Sequence, residues 1–239
     1  MLAVIGSAFM IAVIIPTLNE AELLPETLNC IRANDADHEL LVVDAGSADA
    51  TVQLAESGGA RVIHSAKQQR AFQMNLGAQQ ARSEILLFLH ADTWLGPGAL
   101  RQIEKALDQP TVVGGGFARR FQGASPVLRL TCWIGETRSR LLGWFFGDQG
   151  LFARRSAFER IGGFREWPVL EDIDFSRRLS RLGSLIMLRP AIVSSSRRFA
   201  ARGSLRTTLS DVWLTMRYLC GADPVKLASE RRKPRQPDA

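Results

Sequence analysis

The chain of 239 residues is poor in cysteine. Cys30, Cys132 and Cys220 are odd in number and too widely spaced for a metal or redox motif. They read as small buried apolar residues of a protein in a reducing cytoplasm. No zinc-finger spacing, RNP signature or basic leucine-zipper pattern occurs, so nucleic acid is not an expected partner. No G-x-G-x-x-G follows the first apolar run, and Gly114-Gly115-Gly116 lies far downstream, which excludes a Rossmann dehydrogenase. There is no internal repeat and no long low-complexity linker. The apolar segment Met1–Ile15 has no positive n-region and no small-residue cleavage site, and it is shorter than the ~20 residues of a membrane span. It reads as an upstream extension over residues 1–9, with a strand opening at Met10.

Hydrophobic residues make up 46% of the chain and charged residues 23%, the balance of a soluble globular domain. The net charge is +6, mostly from arginine. That favours anionic partners, nucleotide diphosphates or anionic lipid surfaces, unless the arginines only solvate the surface.

Apolar β-branched runs at Ile11–Ile15, Leu40–Val43, Arg61–His64 and Ile85–Leu89 read as strands. Helical patterns lie between them at Glu22–Ala33, Ala48–Ser57 (capped by Ser47) and Ala66–Arg82, and Pro97–Leu107 follows. The alternation predicts an α/β fold with a mostly parallel sheet flanked by helices. Downstream, Val112–Arg120, Gly150–Ala153, Leu185–Leu188 and Ile192–Ser194 read as strands. Ser125–Leu142, Ala157–Ile161, Glu171–Arg181 and Leu205–Leu219 read as helices. The last is either core packing or a basic amphipathic surface for a membrane or a partner.

Polar clusters stand at the ends of the apolar runs: Pro16-Thr17-Leu18-Asn19-Glu20, Asp44-Ala45-Gly46-Ser47 and His90-Ala91-Asp92-Thr93, with Glu171-Asp172 opening a helix downstream. In open α/β sheets ligands bind at the carboxyl ends of the strands. These acids and hydroxyls are therefore candidates to hold a nucleotide and a metal. Each also has a plain structural reading. Asp44 suits an Asx turn, His90 a structural hydrogen bond, and Arg70 the surface of an alanine-rich helix. Gly147-Asp148-Gln149-Gly150 suits a polar turn, Arg197-Arg198 a solvated pair, and Glu171 and Asp172 a helix N-terminus favoured by the dipole.

The ordered set, together with Arg70-Ala71-Phe72-Gln73-Met74-Asn75-Leu76-Gly77 and Phe146-Gly147-Asp148-Gln149-Gly150, resembles the family 2 glycosyltransferases of GT-A fold, in particular small single-domain bacterial members. The resemblance covers Met10 to Leu219. It implies one domain over residues 10–225, with a nucleotide-sugar half (10–95), an acceptor half (96–225) and a basic tail at 226–239. It further implies an inverting enzyme that moves a sugar from a nucleotide-diphosphate donor, a UDP-sugar, to an acceptor hydroxyl. Pro16, Thr17, Asn19, Glu20, Asp44 and Arg70 would hold the nucleotide, and Asp92 a Mg²⁺ or Mn²⁺ ion. Asp172 would be the general base, supported by Glu171. Gly147, Asp148, Gln149, Arg197 and Arg198 would meet sugar, diphosphate or acceptor. Two departures from the family pattern stand out: His90 replaces the first acid of Asp-x-Asp, and Gln69 stands where such members often have glycine. The expected location is cytoplasmic, with peripheral contact at the inner face of the plasma membrane. The alternatives are a non-catalytic nucleotide-sugar binding protein, which His90 favours, and a sugar-1-phosphate nucleotidyltransferase, whose glycine-rich phosphate loop Pro16–Glu20 does not supply.

Overall fold

The computed structural model describes residues 11–123 and 125–232. The expected extension at residues 1–9, Met10 and the end of the basic tail (233–239) lie outside the described residues. Eight strands form one sheet: β1 (Ile11–Thr17), β2 (His38–Asp44), β3 (Arg61–His64), β4 (Ile85–Phe88), β5 (Thr93–Trp94), β6 (Val112–Phe121), β7 (Leu151–Arg154) and β8 (Ser184–Ser194). Their order is β3-β2-β1-β4-β7-β6-β8-β5. The pairs β1–β2, β1–β4, β2–β3 and β6–β8 are parallel, while β4–β7, β6–β7 and β5–β8 are antiparallel.

Strand side chains alternate between the two faces. On one side, Ile11, Val13 and Ile15 pack with apolar residues of α1 (Leu24–Arg32), α2 (Thr51–Ser57) and α4 (Ala99–Leu107). On the other, Ala12 and Ile14 pack with α3 (Arg70–Gln80), α6 (Arg155–Arg160) and α7 (Glu171–Leu179). Both faces are thus covered, which is why β1 is apolar at nearly every position. Each fully buried Leu, Ile or Phe contributes about 1.5–3 kcal/mol over its exposed state. An aromatic group ties α7 beneath β4. Phe175 stacks on Phe164 with ring centroids 4.1 Å apart, and Phe88 meets Phe164 edge-on at 4.8 Å. That contact sets where the acids at the start of α7 stand relative to the end of β4.

The chain order reverses at β1, which has β2 on one side and β4 on the other. The crevice at such a reversal, outside the carboxyl ends of the strands, is where α/β sheets bind ligands. Pro16-Thr17, Asp44 and His90-Ala91-Asp92 all reach this edge.

Several elements differ from the expectation. The predicted helix over 48–57 starts only at Thr51, and Ser47 does not cap it. Ser47 instead bonds Asp44 and the backbone of Asn19. The predicted helix over 66–82 is trimmed to α3, beginning at Arg70. The two short strands expected at 185–188 and 192–194 are one strand, β8. Leu188 pairs Phe117 and Ile192 pairs Arg119, so a register shift accommodates Pro190, which has no N–H to donate to a ladder. Two helices were not anticipated: α8 (Arg197–Arg202), and α10 (Pro224–Arg232) in what reads from sequence as the start of the basic tail. The remaining helices are α5 (Pro126–Leu142), capped by Ser125, and α9 (Ser204–Leu219).

Gly77 lets α3 lie directly on β1 and β2. A Cβ there would stand 2.4 Å from Cγ2 of Ile14 and 3.0 Å from Cγ2 of Val43, both on rigid buried strand residues. Alanine in place of a mid-helix glycine ordinarily stabilises by about 1 kcal/mol. Here Gly77→Ala should instead lower unfolding free energy by about 1–3 kcal/mol, the cost of overpacking. Urea denaturation of the variant reads the sign directly.

Candidate functional site

The turns after β1 and β2 are stitched to each other. Asn19, at φ 55°, accepts from the Ala48 N–H through Oδ1 (2.8 Å), while its own N–H donates to Ser47 Oγ (2.8 Å). The Glu20 N–H donates to Thr51 Oγ1 (2.8 Å). Asp44 is the centre of the seam. Its Oδ2 accepts from the N–H groups of Gly46 and Ser47 (both 2.9 Å), and its Oδ1 accepts from Ser47 Oγ (2.5 Å) and Thr17 Oγ1 (3.1 Å). Burial pushes the Asp44 carboxyl up, but these four donors outweigh it and hold it below the usual carboxylate value. Gln73 of α3 closes the seam from below, donating to the carbonyls of Thr17 (2.9 Å) and Val43 (2.7 Å).

Beside the seam is a cavity of about 590 Å³. Pro16, Glu20, Arg70, Asp92, Arg197 and Arg198 line one wall. His90, Asp148, Glu171 and Asp172 also line it. Thr17, Asn19, Asp44, Gly147 and Gln149 are not among its lining residues. The sequence-predicted set is thus split between a cavity group and a supporting group.

A chain of charges crosses the cavity. Nη2 of Arg197 stands 2.7 and 2.6 Å from the two carboxylate oxygens of Glu20 and 3.3 Å from Oδ2 of Asp92. Burial raises the carboxyls of Glu20 and Asp92, and Arg197 works against it in both. Arg198 pairs with Asp211 at 2.5 Å. Arg70, at the first position of α3, leans toward Glu171 at 3.7 Å and is itself exposed.

Asp172, next to Glu171, also lines the cavity. Its Oδ2 accepts from the Gly147 N–H (2.7 Å), and its Oδ1 from the Ile173 N–H (2.7 Å). Burial first, and then the neighbouring Glu171 charge, push its carboxyl up to about 7. Leu170 precedes the pair at φ 64°, a conformation that costs a leucine about 1–3 kcal/mol. Asp148 is ion-paired with the buried Arg119. Burial raises the Asp148 carboxyl, and the Arg119 charge overcomes that and leaves it below the usual value. Burial, with the Arg70 charge adding to it, pushes His90 down to about 3, so the ring is neutral at any working pH. Among the described residues His90 Nε2 and Asp148 Oδ1 are enclosed without a hydrogen-bond partner. Gly147 must be small here: a Cβ would fall 2.6 Å from His90 Nε2.

Gln149 faces the core. Its Oε1 accepts from Phe146 N–H and Arg138 Nη2 (both 3.0 Å), and its Nε2 donates to the Phe117 carbonyl (3.1 Å). Asn75, a poor helix former in mid-helix, bonds both the N–H (2.9 Å) and the carbonyl (2.8 Å) of Phe164. Sequence reasoning missed Arg119, Arg138 and Gln73. Arg119 was detectable, because a charge directly after Phe117-Ala118 inside an apolar strand needs a buried partner. Gln73 and Arg138 carry no such signal.

A divalent cation has few donors here. Among the described residues no group of three or more His, Cys, Asp or Glu side chains could hold a metal ion. Hard cations such as Mg²⁺ bind with one or two carboxylates when substrate phosphates and water complete the shell. Asp92 fits that mode. It lines the cavity, and it already faces a cation, the Arg197 guanidinium.

The sheet reversal with its acid-lined cavity defines a GT-A type α/β fold. A mannosyltransferase from Pyrobaculum calidifontis, solved with GDP-Man and Mn²⁺, superposes with a TM-score of 0.69 at 20% identity, over 93% of this chain and 67% of that one. Residues 1–349 of S. aureus TarS, solved with UDP-GlcNAc, give 0.61 at 18% identity over 79% and 59%. A PGL/p-HBAD biosynthesis glycosyltransferase of Mycobacterium bovis is 30% identical over 217 residues, covering 86% of this chain and 82% of its own. The Glycosyl transferase family 2 model matches residues 12–162. The chain belongs to glycosyltransferase family 2 and is a glycosyltransferase.

The raised Asp172 carboxyl has a thermodynamic signature. Its ordinary value is 3.8 and its folded value about 7, so between these the folded state holds a proton that the unfolded state has released. Its contribution to stability is full below the lower value and is lost as pH rises through the upper one. Asp172→Asn should therefore match wild type near pH 4 and melt higher than wild type above pH 7. Thermal unfolding across that range checks this, and a parallel pair of curves would assign the shift elsewhere.

Proposed function

We propose that the protein is an inverting transferase acting on a nucleotide-diphosphate sugar, with Asp172 as the general base. The observation that carries this reading is the convergence of four separated clusters on one cavity at the sheet reversal: Pro16/Glu20, Asp92, Asp148 and Glu171/Asp172. A carboxyl near 7 is suited to the task, since a general base works best with a value close to the operating pH. Unpaired buried polar atoms cost about 1–3 kcal/mol each. His90 Nε2 and Asp148 Oδ1 beside Asp172 fit a place shaped for chemistry rather than for stability.

In this reading the seam of Thr17, Asn19, Asp44 and Gln73 holds the pocket wall in shape. Asp44 orders the turn through its four bonds, and Pro16 and Glu20 meet the nucleotide. Arg70, Arg197 and Arg198 face the diphosphate, and Asp92 would hold Mg²⁺ or Mn²⁺. A bound cation supplies charge stabilisation for the departing diphosphate. Asp172 takes the proton from the acceptor hydroxyl as that oxygen bonds the anomeric carbon. The bond from that carbon to the diphosphate breaks, and its electron pair leaves with the diphosphate toward the arginines. Attack from the face opposite the leaving group inverts the centre. The neutral His90 ring adds no positive charge beside the base.

The donor is read as a UDP-sugar. Thermal shift with UDP, GDP and other nucleoside diphosphates, with and without Mn²⁺, tests both base and metal. UDP should give the largest shift, and Mn²⁺ should enlarge it. Asp92→Asn should remove the Mn²⁺-dependent part of UDP affinity in calorimetry. An unchanged metal effect would place the ion elsewhere.

Asp172→Asn should keep UDP affinity and lose about 100- to 10,000-fold in turnover, the usual contribution of general-base help. Glu171→Gln should lose less. Turnover of Asp172→Asn within about tenfold of wild type would remove it as the base.

A further inference from the structure

The cavity has a second, chemically different end. Beyond the charged floor its lining passes to Ile134 and Leu142 of α5 and to Val212 and Met216 of α9. These four side chains are also exposed, so they form the rim where the cavity meets solvent. α5 and α9 touch there, with Thr131 Oγ1 2.9 Å from Thr208 Oγ1. From the rim an apolar surface continues outward along both helices. Leu130, Trp133, Ile134 and Leu141 follow helical spacing on α5, and Leu205, Leu209, Val212, Trp213 and Met216 on α9. Trp133 is 64% exposed, Trp213 54% and Leu141 76%. A soluble monomer seldom leaves so continuous an apolar face in water.

The charge around this face is net basic, although Arg217 pairs with Glu230 of α10 and Arg138 turns inward to Gln149. The two helices carry Arg129, Arg138, Arg140, Arg206 and Arg217 against Glu136 and Asp211. Both acids are paired with arginines: Glu136 with Arg189 at 2.6 Å, Asp211 with Arg198 at 2.5 Å. Arg217 lies over the Trp213 ring at 4.8 Å. Exposed tryptophans and leucines flanked by arginine are the pattern of a surface that lies in the interface of an anionic bilayer. Among the described residues no helix is long and apolar enough to cross a membrane.

We propose that the α5–α9 face docks on an anionic lipid bilayer, and that the acceptor enters the cavity from it. The acceptor is then an amphiphile. Its hydroxyl end reaches Asp172 while its apolar part lies against Ile134, Leu142, Val212 and Met216. The identity of the acceptor end rests on the transfer reaction proposed above; the docking does not.

Vesicles of phosphatidylcholine, alone or mixed with phosphatidylglycerol, test the docking by co-sedimentation. Binding to the mixed vesicles should be about tenfold stronger or more, given several arginines near an anionic surface. Lipids brominated in the acyl chain should quench tryptophan fluorescence. Trp133→Phe with Trp213→Phe should abolish that quenching, and Trp133→Ser with Trp213→Ser should weaken binding on the order of tenfold. The UDP-induced thermal shift should survive in both double variants, which shows that they fold. Binding without quenching would reduce the contact to surface charge and overturn the proposal. So would a stable dimer in solution that buries this face, or quenching that disappears when residues 1–10 are removed. For the acceptor end, octyl glucoside below its micellar concentration should raise the melting temperature where glucose does not. Ile134→Ser with Met216→Ser should remove that rise; equal responses to the two probes would overturn the amphiphile assignment. Neither readout needs turnover, so failure of the transfer reading and failure of the docking are told apart.

Discussion

Carboxylates crowded at one sheet edge repel each other, and the site exists because arginines from distant parts of the chain stand between them. Glu20, Asp92, Asp148, Glu171 and Asp172 share a cavity. Arg197 bridges the first two, Arg119 neutralises the third from beneath, and Arg70 leans toward the fourth. Asp172 alone has backbone N–H groups in place of an arginine. Its carboxyl is the one pushed up to about 7. Burial pushes the Glu20 and Asp92 carboxyls up as well, with Arg197 working against it, whereas the Arg119 charge holds Asp148 below its usual value.

The fold frame was legible because its signals are local. Buried parallel strands are apolar at every position, so Ile11–Ile15 and Ile85–Leu89 announce themselves, and the acids at their ends mark the ligand edge. What escaped depends on contacts between distant segments. Ser47 looks like a helix cap from its neighbours, but Asn19, distant in sequence, claims it. Leu185–Leu188 and Ile192–Ser194 read as two strands, while pairing with β6 joins them across Pro190 through a register shift.

The site was legible in part for the same reason. Glu20, Asp92, Asp148 and Asp172 sit next to features visible in one dimension, a strand end or a helix start, and all of them line the cavity. Asp44 and Gln149 stand beside similar turns but do not line the cavity, and their polar atoms bond neighbouring backbone and side chains. Arg119 lies at the other extreme, a charge in a strand whose partner Asp148 is remote in sequence.

Leu170 adopts a backbone conformation suited to glycine, and packing keeps it there. Its side chain is enclosed with Ile173, Leu214 of α9 and Leu227 of α10. Losing a buried leucine costs about 2–5 kcal/mol, more than the strain it endures. The entry to the helix bearing Asp172 is therefore clamped by the last described helix of the chain, although Leu227 does not line the cavity. Trimming the chain at α10 would remove no residue that lines the cavity, yet it would release the packing that holds the turn ahead of Asp172.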